Sequence, residues 1–158
     1  MEVPLNFRNF TLSDMARVLA IDYGLKRTGL AVTDELQIFA FGLQTVATHD
    51  LERFLKTYVV ENGIAGIVVG EPKRLNNEPT DATAAINLFV TKLGKLFPEI
   101  PVYRIDERFT SSMASKAILA SGIKKQERRN KALVDEVSAT IILQSWLEQK
   151  ELRNGNTR

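Results

Sequence analysis

The sequence predicts an α/β fold in which a mixed sheet of five strands is flanked by helices. Three short apolar runs come first, at 17–21, 28–33 and 36–46, and the short connections between them predict an antiparallel meander. Two more apolar runs, at 64–69 and 101–105, each follow a segment with helical spacing, which is typical of parallel strands. We therefore expect three antiparallel strands followed by two parallel strands.

The helices are predicted from the spacing of their apolar side chains. This spacing indicates four helices, at 50–62, about 80–97, 110–121 and 131–150. Asn62-Gly63 is a typical end signal for the first of them, because glycine readily adopts the left-handed conformation that closes a helix. The sequence contains no internal repeat and no low-complexity segment, which favours a single folded unit.

The length of 158 residues fits one domain with a proper core. We expect an N-terminal extension at 1–14, a single folded domain at 15–150 and a flexible C-terminal tail at 151–158. The chain has no apolar run long enough for a membrane span, and its first residues do not have the pattern of a signal peptide. Together with the absence of cysteine, these features fit a cytoplasmic protein.

The residue types exclude several kinds of chemistry. The chain has no cysteine, which excludes disulfides, thiolate metal sites and cysteine nucleophiles. Its single histidine, His49, excludes a zinc site with several histidines. A Ser-His-Asp triad would have to use His49, and no other feature supports one. The chemistry must therefore depend on carboxylates, lysines, hydroxyls or a bound cofactor.

Acidic residues follow three of the predicted strands at the point where each strand ends. Asp22 ends the first strand, Glu71 the fourth, and Asp106 and Glu107 the fifth. Ligands gather at the carboxyl ends of strands in such sheets, and neighbouring strands lie only about 4.8 Å apart. The pattern therefore predicts a cluster of carboxylates, although each acid alone could be a turn residue, a solvated strand end or part of a local ion pair.

A further acid comes from the last predicted helix. At 100° per residue, Asp135 shares a face with Ala139, Ile142 and Trp146, and this apolar face should point toward the sheet. An acid near a helix start is also favoured by the helix dipole, which is the alternative interpretation of Asp135. We expect Asp135 to join the strand-end acids.

Clustered carboxylates need a cation, because like charges at short range repel one another. Mg²⁺ (or Mn²⁺) suits this role, since it prefers oxygen ligands in octahedral geometry. Two such ions about 4 Å apart can activate water and stabilise the leaving oxygen during phosphodiester cleavage. The candidate metal ligands from this pattern are Asp22, Glu71, Asp106, Glu107 and Asp135.

Basic residues could hold the phosphates of a nucleic acid. Arg27 and Arg108 can bind phosphate oxygens through paired hydrogen bonds, or can instead pair with the neighbouring carboxylates. A basic cluster follows later in the chain, comprising Lys124, Lys125, Arg128 and Arg129. Such a cluster can contact a nucleic-acid backbone, and charge patterning alone equally allows a solvated loop. The net charge of +2 does not by itself indicate a partner.

Four segments carry a resemblance to a known family. They are AIDYGLKRTGLAVTD at 20–34, IVVGEP at 67–72, VYRIDERFTSSMA at 102–114 and VDEVSATIILQSWL at 134–147. In this order and spacing, over about residues 16–149, the chain resembles the pre-16S rRNA nuclease family, also called the YqgF or Holliday junction resolvase-like family. The segment GEPKRLNNEP departs from the family, in which many members have GLP followed by an NMDG-like stretch.

The resemblance implies an RNase H-like fold and a metal-assisted nuclease that acts in maturing the 5′ end of pre-16S rRNA. The family's acids carry over to Asp22, to the pair Asp106 and Glu107, and to Asp135, with Glu107 the preferred ligand within the pair. The implied partner is pre-16S rRNA or the precursor of the small ribosomal subunit. We expect a monomer or a weak dimer.

Several alternatives remain open at the level of sequence. A Holliday junction resolvase would use the same acids on DNA, and phosphate contacts do not distinguish the two sugars. A non-catalytic RNA-binding protein could keep the fold, although the intact set of acids argues against it. An ATP-binding protein of the actin and hexokinase type would need two such domains, and a plain structural domain is the remaining alternative.

Overall fold

The computed structural model describes residues 16–71, 82–106 and 131–155. Within these residues the strands are β1 (Arg17–Asp22), β2 (Arg27–Thr33), β3 (Ala40–Ala47), β4 (Ile64–Glu71) and β5 (Val102–Asp106). The helices are α1 (Leu51–Asn62), α2 (Thr83–Leu96) and α3 (Lys131–Gly155), and a short 3₁₀ turn (Thr48–Asp50) precedes α1. The predicted helix at 110–121 and the predicted extension at 1–14 lie outside the described residues.

The five strands form one mixed sheet in the order β3-β2-β1-β4-β5. The pairs β1–β2 and β2–β3 are antiparallel, whereas β1–β4 and β4–β5 are parallel. This arrangement confirms the predicted α/β fold, with three antiparallel strands followed by two parallel strands. It also places the carboxyl ends of the neighbouring strands β1, β4 and β5 side by side, at the same end of the sheet.

The core lies in two layers, one on each side of the sheet. Because side chains alternate along a strand, Leu19 and Ile21 of β1 pack against α1 and α2, whereas Val18 and Ala20 pack against α3. We call these two sides the α1/α2 face and the α3 face. The continuous apolar run of β1 is explained by this double burial, since both of its faces are covered.

Two boundaries differ from the sequence-based prediction by four or more residues. The third strand begins at Ala40 rather than at residue 36, because 34–39 form a turn in which Gln37 has a positive φ of 57°. The last helix continues to Gly155, beyond the predicted end at residue 150. By contrast, the end signal at Asn62-Gly63 is confirmed, since Gly63 closes α1 with a left-handed backbone (φ 59°).

Among the described residues, no helix is both long enough and apolar enough to cross a membrane. The longest helix, α3, alternates a buried apolar face with an exposed polar one. Ala139, Ile142 and Leu143 on its inner side are completely buried, whereas Gln144 and Glu148 are exposed. This amphipathic pattern is that of a helix packed on a sheet.

Candidate active site

Asp22 is the last residue of β1, and the alternation along that strand places it on the α3 face, with Val18 and Ala20. The next residue turns the other way. Tyr23 stacks on Phe89 of α2, with ring centroids 4.8 Å apart and ring planes inclined by 28°. This aromatic contact anchors the chain on the α1/α2 face directly after Asp22, which holds the carboxylate on the opposite side.

The connection from β1 to β2 is a tight, well-bonded turn. The hydroxyl of Thr48 donates a hydrogen bond to the carbonyl oxygen of Gly24 (2.6 Å), and its backbone N–H donates to the carbonyl oxygen of Lys26 (3.0 Å). A Cβ atom at Gly24 would lie 2.2 Å from the carbonyl oxygen of Arg27, so only glycine fits there. The turn therefore delivers Arg27 to the start of β2 in a fixed position.

Gly29 allows α3 to approach the sheet next to Asp22. Asp22 and Gly29 are direct antiparallel partners, so their side-chain positions lie on the same face. A Cβ atom at Gly29 would lie 2.0 Å from the backbone oxygen of Asp135 and 3.1 Å from the Asp135 Cβ. The backbone of α3 thus lies directly on Gly29, and Asp135 takes the place that a side chain at position 29 would occupy.

The separation of the two acids can be bounded from these contacts. Partners in an antiparallel pair have Cβ atoms about 5 Å apart, and the Gly29 Cβ position lies 3.1 Å from the Cβ of Asp135. The Cβ atoms of Asp22 and Asp135 are therefore at most about 8 Å apart. This spacing suits two carboxylates that share one ion, because Mg²⁺ lies about 2.1 Å from each ligand oxygen.

Arg27 forms an ion pair with Asp135, one of these two acids. Its Nε donates a hydrogen bond to Oδ2 of Asp135 at 3.1 Å, and both side chains are partly buried. Of the two roles that the sequence left open for Arg27, the structure therefore shows pairing with a carboxylate. Asp135 also shares its helix face with the buried residues Ala139, Ile142 and Trp146, as the helical spacing predicted.

The acid at the end of β4 does not join this cluster. Ile21 of β1 pairs with Val69 of β4, which places Gly70, and not Glu71, beside Asp22. Because paired positions in neighbouring strands share a face, Glu71 points to the α1/α2 face. The register thus does not place Glu71 beside Asp22, because it offsets the two strand ends by one residue.

Asp106 lies on the same side as Glu71. The two residues are direct partners in the β4–β5 register. Arg104, two residues before Asp106 on β5, has its Nη2 3.5 Å from Oε1 of Glu71, and its guanidinium also contacts Asn87 of α2 at 3.4 Å. These residues form a second polar group, on the α1/α2 face, that is separated from Asp22 by the sheet.

The remaining predicted site residues lie outside the described residues. They are Glu107, Arg108, Lys124, Lys125, Arg128 and Arg129. Within the described ranges, no three acidic or histidine side chains form a cluster that could hold a metal ion. The described part of the site is thus a pair of acids, Asp22 and Asp135, with Arg27 attached to one of them.

Sequence reasoning missed the residues that build the site without taking part in chemistry. Gly29 was not among the predicted site residues, although a glycine inside a strand is a recognised signal of close approach by another backbone. Tyr23 and Thr48 carried no signal, since their contacts with Phe89 and with the turn join segments far apart in the chain.

Comparison with protein families gives a match over most of the chain. A family model described as RuvX, Holliday junction resolvase, matches residues 16–149. A relative from Phocaeicola vulgatus, named "Putative pre-16S rRNA nuclease", is 56% identical over 137 residues, which are 87% of this chain and 99% of the relative. A relative of the same name from Flavobacterium johnsoniae is 52% identical over 136 residues, or 86% of this chain and 99% of the relative.

Among solved structures, Thermus thermophilus RuvC in complex with a Holliday junction substrate is similar to this chain. The TM-score is 0.47 and the sequence identity 16%, and the match covers 80% of this chain and 91% of that chain.

Proposed function

Because the chain belongs to the RuvX family, we propose that it is a metal-dependent nuclease that hydrolyses phosphodiester bonds of RNA. The observation that carries the proposal is that Asp22 and Asp135 lie on one face of the sheet, brought together by Gly29. The names of the relatives from Flavobacterium johnsoniae and Phocaeicola vulgatus support ribosomal RNA as the substrate. The proposed reaction is the maturation of the 5′ end of pre-16S rRNA.

The proposed ligands for Mg²⁺ (or Mn²⁺) are Asp22, Asp135 and Glu107. The first two fit the ion, because their Cβ atoms are at most about 8 Å apart and their oxygens are the donors that Mg²⁺ prefers. The ion pair with Arg27 supports this assignment, since it shows that positive charge is favoured at the Asp135 carboxylate. A bound ion would neutralise these carboxylates and would supply the activation of water that hydrolysis of a phosphodiester needs.

The choice of Glu107 over Asp106 follows from the alternation of side chains along β5. Asp106 belongs with Glu71 and Arg104 on the α1/α2 face, away from Asp22. Glu107, which lies outside the described residues, is therefore the acid of the pair that we include in the proposed ligand set. Neither Asp106 nor Glu71 is therefore included in the proposed ligand set.

Arg27 has a second role in the proposal. Its Nε is committed to Asp135, and a guanidinium has donors on two further nitrogens that can bind a phosphate oxygen. Arg27 would thereby hold a substrate phosphate next to the acids. Arg108 and the cluster Lys124, Lys125, Arg128 and Arg129 are proposed to contact the nucleic-acid backbone farther along. The proposed setting is the cytoplasm, on a precursor of the small ribosomal subunit.

A second candidate function is resolution of Holliday junctions in DNA. It is favoured by the description of the family model that matches residues 16–149. The same acids would serve either reaction, because hydrolysis requires the phosphate and not the sugar. RNA is preferred here on the names of the relatives that share more than half of their residues with this chain.

The test is cleavage of an RNA that carries an immature 16S 5′ leader, beside a four-way DNA junction, with Mg²⁺, Mn²⁺ or EDTA. Asp22→Asn and Asp135→Asn should each lower metal-dependent cleavage by at least about a hundredfold, since each removes a ligand and leaves the fold intact. Glu71→Gln is the matched control, because Glu71 also ends a strand at this edge but faces the other side, and it should cleave like the wild type.

Each outcome of this test has a distinct meaning. Metal-dependent cleavage of the RNA alone supports the proposed function, and cleavage of the junction alone favours the second candidate. Binding of RNA without cleavage under any condition would point to a non-catalytic RNA-binding protein. Equal activity in Asp135→Asn and Glu71→Gln would contradict the assignment of the site to the α3 face.

A further inference from the structure

A groove lies between α1 and α2, beside the turn that follows β1. Its volume is about 360 Å³, which is within the range of sites that bind small molecules. We call it the interhelix groove. Its lining residues are Tyr23, Thr48, His49, Leu51, Glu52, Ala85, Leu88, Phe89, Lys92 and Leu96. The proposed reaction gives none of these side chains a direct part, and it leaves the single histidine of the chain without a role.

The interhelix groove adjoins the candidate active site at two points. Tyr23 follows Asp22 directly in the chain, and consecutive Cα atoms are only about 3.8 Å apart. Thr48 bonds through its hydroxyl and its backbone N–H to the turn that delivers Arg27 to β2. The groove therefore begins within the reach of one nucleotide from a phosphate that lies at Asp22 and Arg27.

Two aromatic rings line the groove. Tyr23 and Phe89 stack with 4.8 Å between their ring centroids, and both residues are only partly buried. Proteins stack the unpaired bases of single-stranded nucleic acids on aromatic side chains of this kind, because every base has a flat π-face. A base in the groove would extend a stack that already contains two rings.

The rest of the groove combines a fixed apolar base with an exposed margin. Leu51 is almost completely buried and belongs to the core on the α1/α2 face. Leu88 is 74% exposed, and the side chain of His49 is 83% exposed. A bound base would cover the leucine, and an imidazole can itself stack on a base. These side chains offer a base contacts that water does not replace.

The charged margin of the groove favours a polyanion. The carboxylate of Glu52 forms ion pairs with Lys92 at 2.5 Å and with Lys56 at 3.2 Å. Hydrogen bonds from Lys92 and Lys56 lower the pKa of Glu52, so this carboxylate is ionised at neutral pH. Two lysines thus share one carboxylate, which leaves positive charge in excess at this margin. Phosphates on either side of a bound base would be attracted to it.

We propose that the interhelix groove binds one unpaired base of the RNA substrate, stacked against Tyr23 and Phe89, while the neighbouring phosphate lies at Asp22 and Asp135. The inference rests on the proposed function, because its ligand is part of the RNA that the site would cleave. The strand crosses the carboxyl end of the sheet, from the α3 face to the α1/α2 face. RNA with unpaired bases beside the cleaved bond is then preferred, since paired bases are held in their own stack.

The test measures RNA binding without cleavage, by fluorescence anisotropy of the full-length protein in EDTA. One probe is a labelled single-stranded RNA of about twelve nucleotides, and the other is a strand of the same length that has the sugars and phosphates but no bases. The wild type should bind the RNA at least about fivefold more tightly than the abasic strand, because stacking of a base on aromatic side chains contributes at least this factor.

Phe89→Leu tests the stacking contact, since it removes the ring and keeps an apolar side chain at the position. This variant should lose most of the preference for RNA and keep its affinity for the abasic strand. Phe39→Leu is the matched control, because Phe39 is 62% exposed in the turn before β3, at the opposite end of the sheet. It should bind both probes like the wild type. Circular dichroism verifies that both variants fold.

The abasic strand separates stacking from a structural role of Phe89. A displaced Tyr23 would disturb Asp22 and Arg27 and would change the binding of both probes alike, since both carry phosphates. His49→Ala is a second variant that does not touch the core, and it should lose a smaller part of the preference for RNA. RNA that contains the photoreactive base 4-thiouridine should crosslink to a peptide that includes Tyr23, His49 or Phe89.

The outcomes also separate this inference from the proposed function. A preference for RNA that depends on Phe89, in a protein that cleaves no RNA, would support the groove and contradict the reaction. Equal binding of the two probes by the wild type, in a protein that cleaves RNA, would overturn the groove alone. Equal preference for RNA in Phe89→Leu and Phe39→Leu, or weaker binding of both probes by Phe89→Leu, would also overturn it.

Discussion

Replacing Gly29 with alanine tests the contact on which the candidate site depends. The added Cβ would lie 2.0 Å from the backbone oxygen and 2.4 Å from the backbone carbon of Asp135. No flexible side chain can move aside, since both atoms belong to the backbone of α3. The helix itself must retreat by more than about 1 Å, although Ala139 and Ile142 on its inner face are completely buried.

The expected cost follows from this geometry. Overpacking of this kind destabilises a protein by about 1–3 kcal/mol, which corresponds to a melting temperature lower by about 3–10 °C in a chain of this size. The rate of RNA cleavage should fall by about a hundredfold, because the displacement moves Asp135 away from Asp22. Thermal unfolding by circular dichroism and cleavage of the leader RNA measure the two effects.

Gly94→Ala is the control for this substitution. Gly94 lies within α2, and no heavy atom lies within 4 Å of a Cβ atom built there. This variant should be more stable than the wild type by about 0.5–1 kcal/mol, because alanine is the better helix former. A Gly29→Ala protein that melts and cleaves like the wild type would refute the close approach of α3 to β2.

Two further predictions concern ion pairs and charge. Arg27→Met removes the guanidinium from Asp135, so without metal the free energy of unfolding should fall by at most about 1 kcal/mol. Mg²⁺ should raise the melting temperature of this variant more than that of the wild type, because the ion no longer competes with Arg27. An equal rise in both proteins would show that Arg27 does not compete. Asp34→Asn should be less stable than the wild type at neutral pH. The difference in stability between the two proteins should disappear as the pH falls below 3.8, because the pKa of Asp34 is lowered in the folded state and its stabilisation is lost once the carboxylate is protonated. Urea unfolding at several pH values measures this difference. A difference that persists in acid would contradict a stabilising role of the Asp34 carboxylate.

The sequence predicted the presence of the strands more reliably than their boundaries. Buried runs such as that of β4 have a clear apolar signature, since both faces of the strand are covered. The start of β3 was placed four residues too early, because Leu36, Ile38 and Phe39 are as apolar as a buried strand. Those side chains are instead exposed in a turn that Asp34 organises, and composition alone does not distinguish exposed apolar side chains from buried ones.

The placement of some residues of the candidate site could be predicted from the sequence. Helical spacing placed Asp135 on the inner face of α3, and the order of the strands brought the ends of β1, β4 and β5 to one edge. The face of each acid could not be predicted, because it depends on the register between β1 and β4. A shift of one residue reverses the face of every side chain, and this is why Glu71 lies across the sheet from Asp22.

Titration calorimetry with Mn²⁺ tests the central claim most directly, since it does not require the substrate to be known. The proteins to compare are the wild type, Asp22→Asn, Asp135→Asn and Glu71→Gln. The account predicts that the wild type and Glu71→Gln bind the ion alike, and that both α3-face variants bind it at least about tenfold more weakly. Equal binding by all four proteins, or a loss confined to Glu71→Gln, would contradict a metal site built on Asp22 and Asp135.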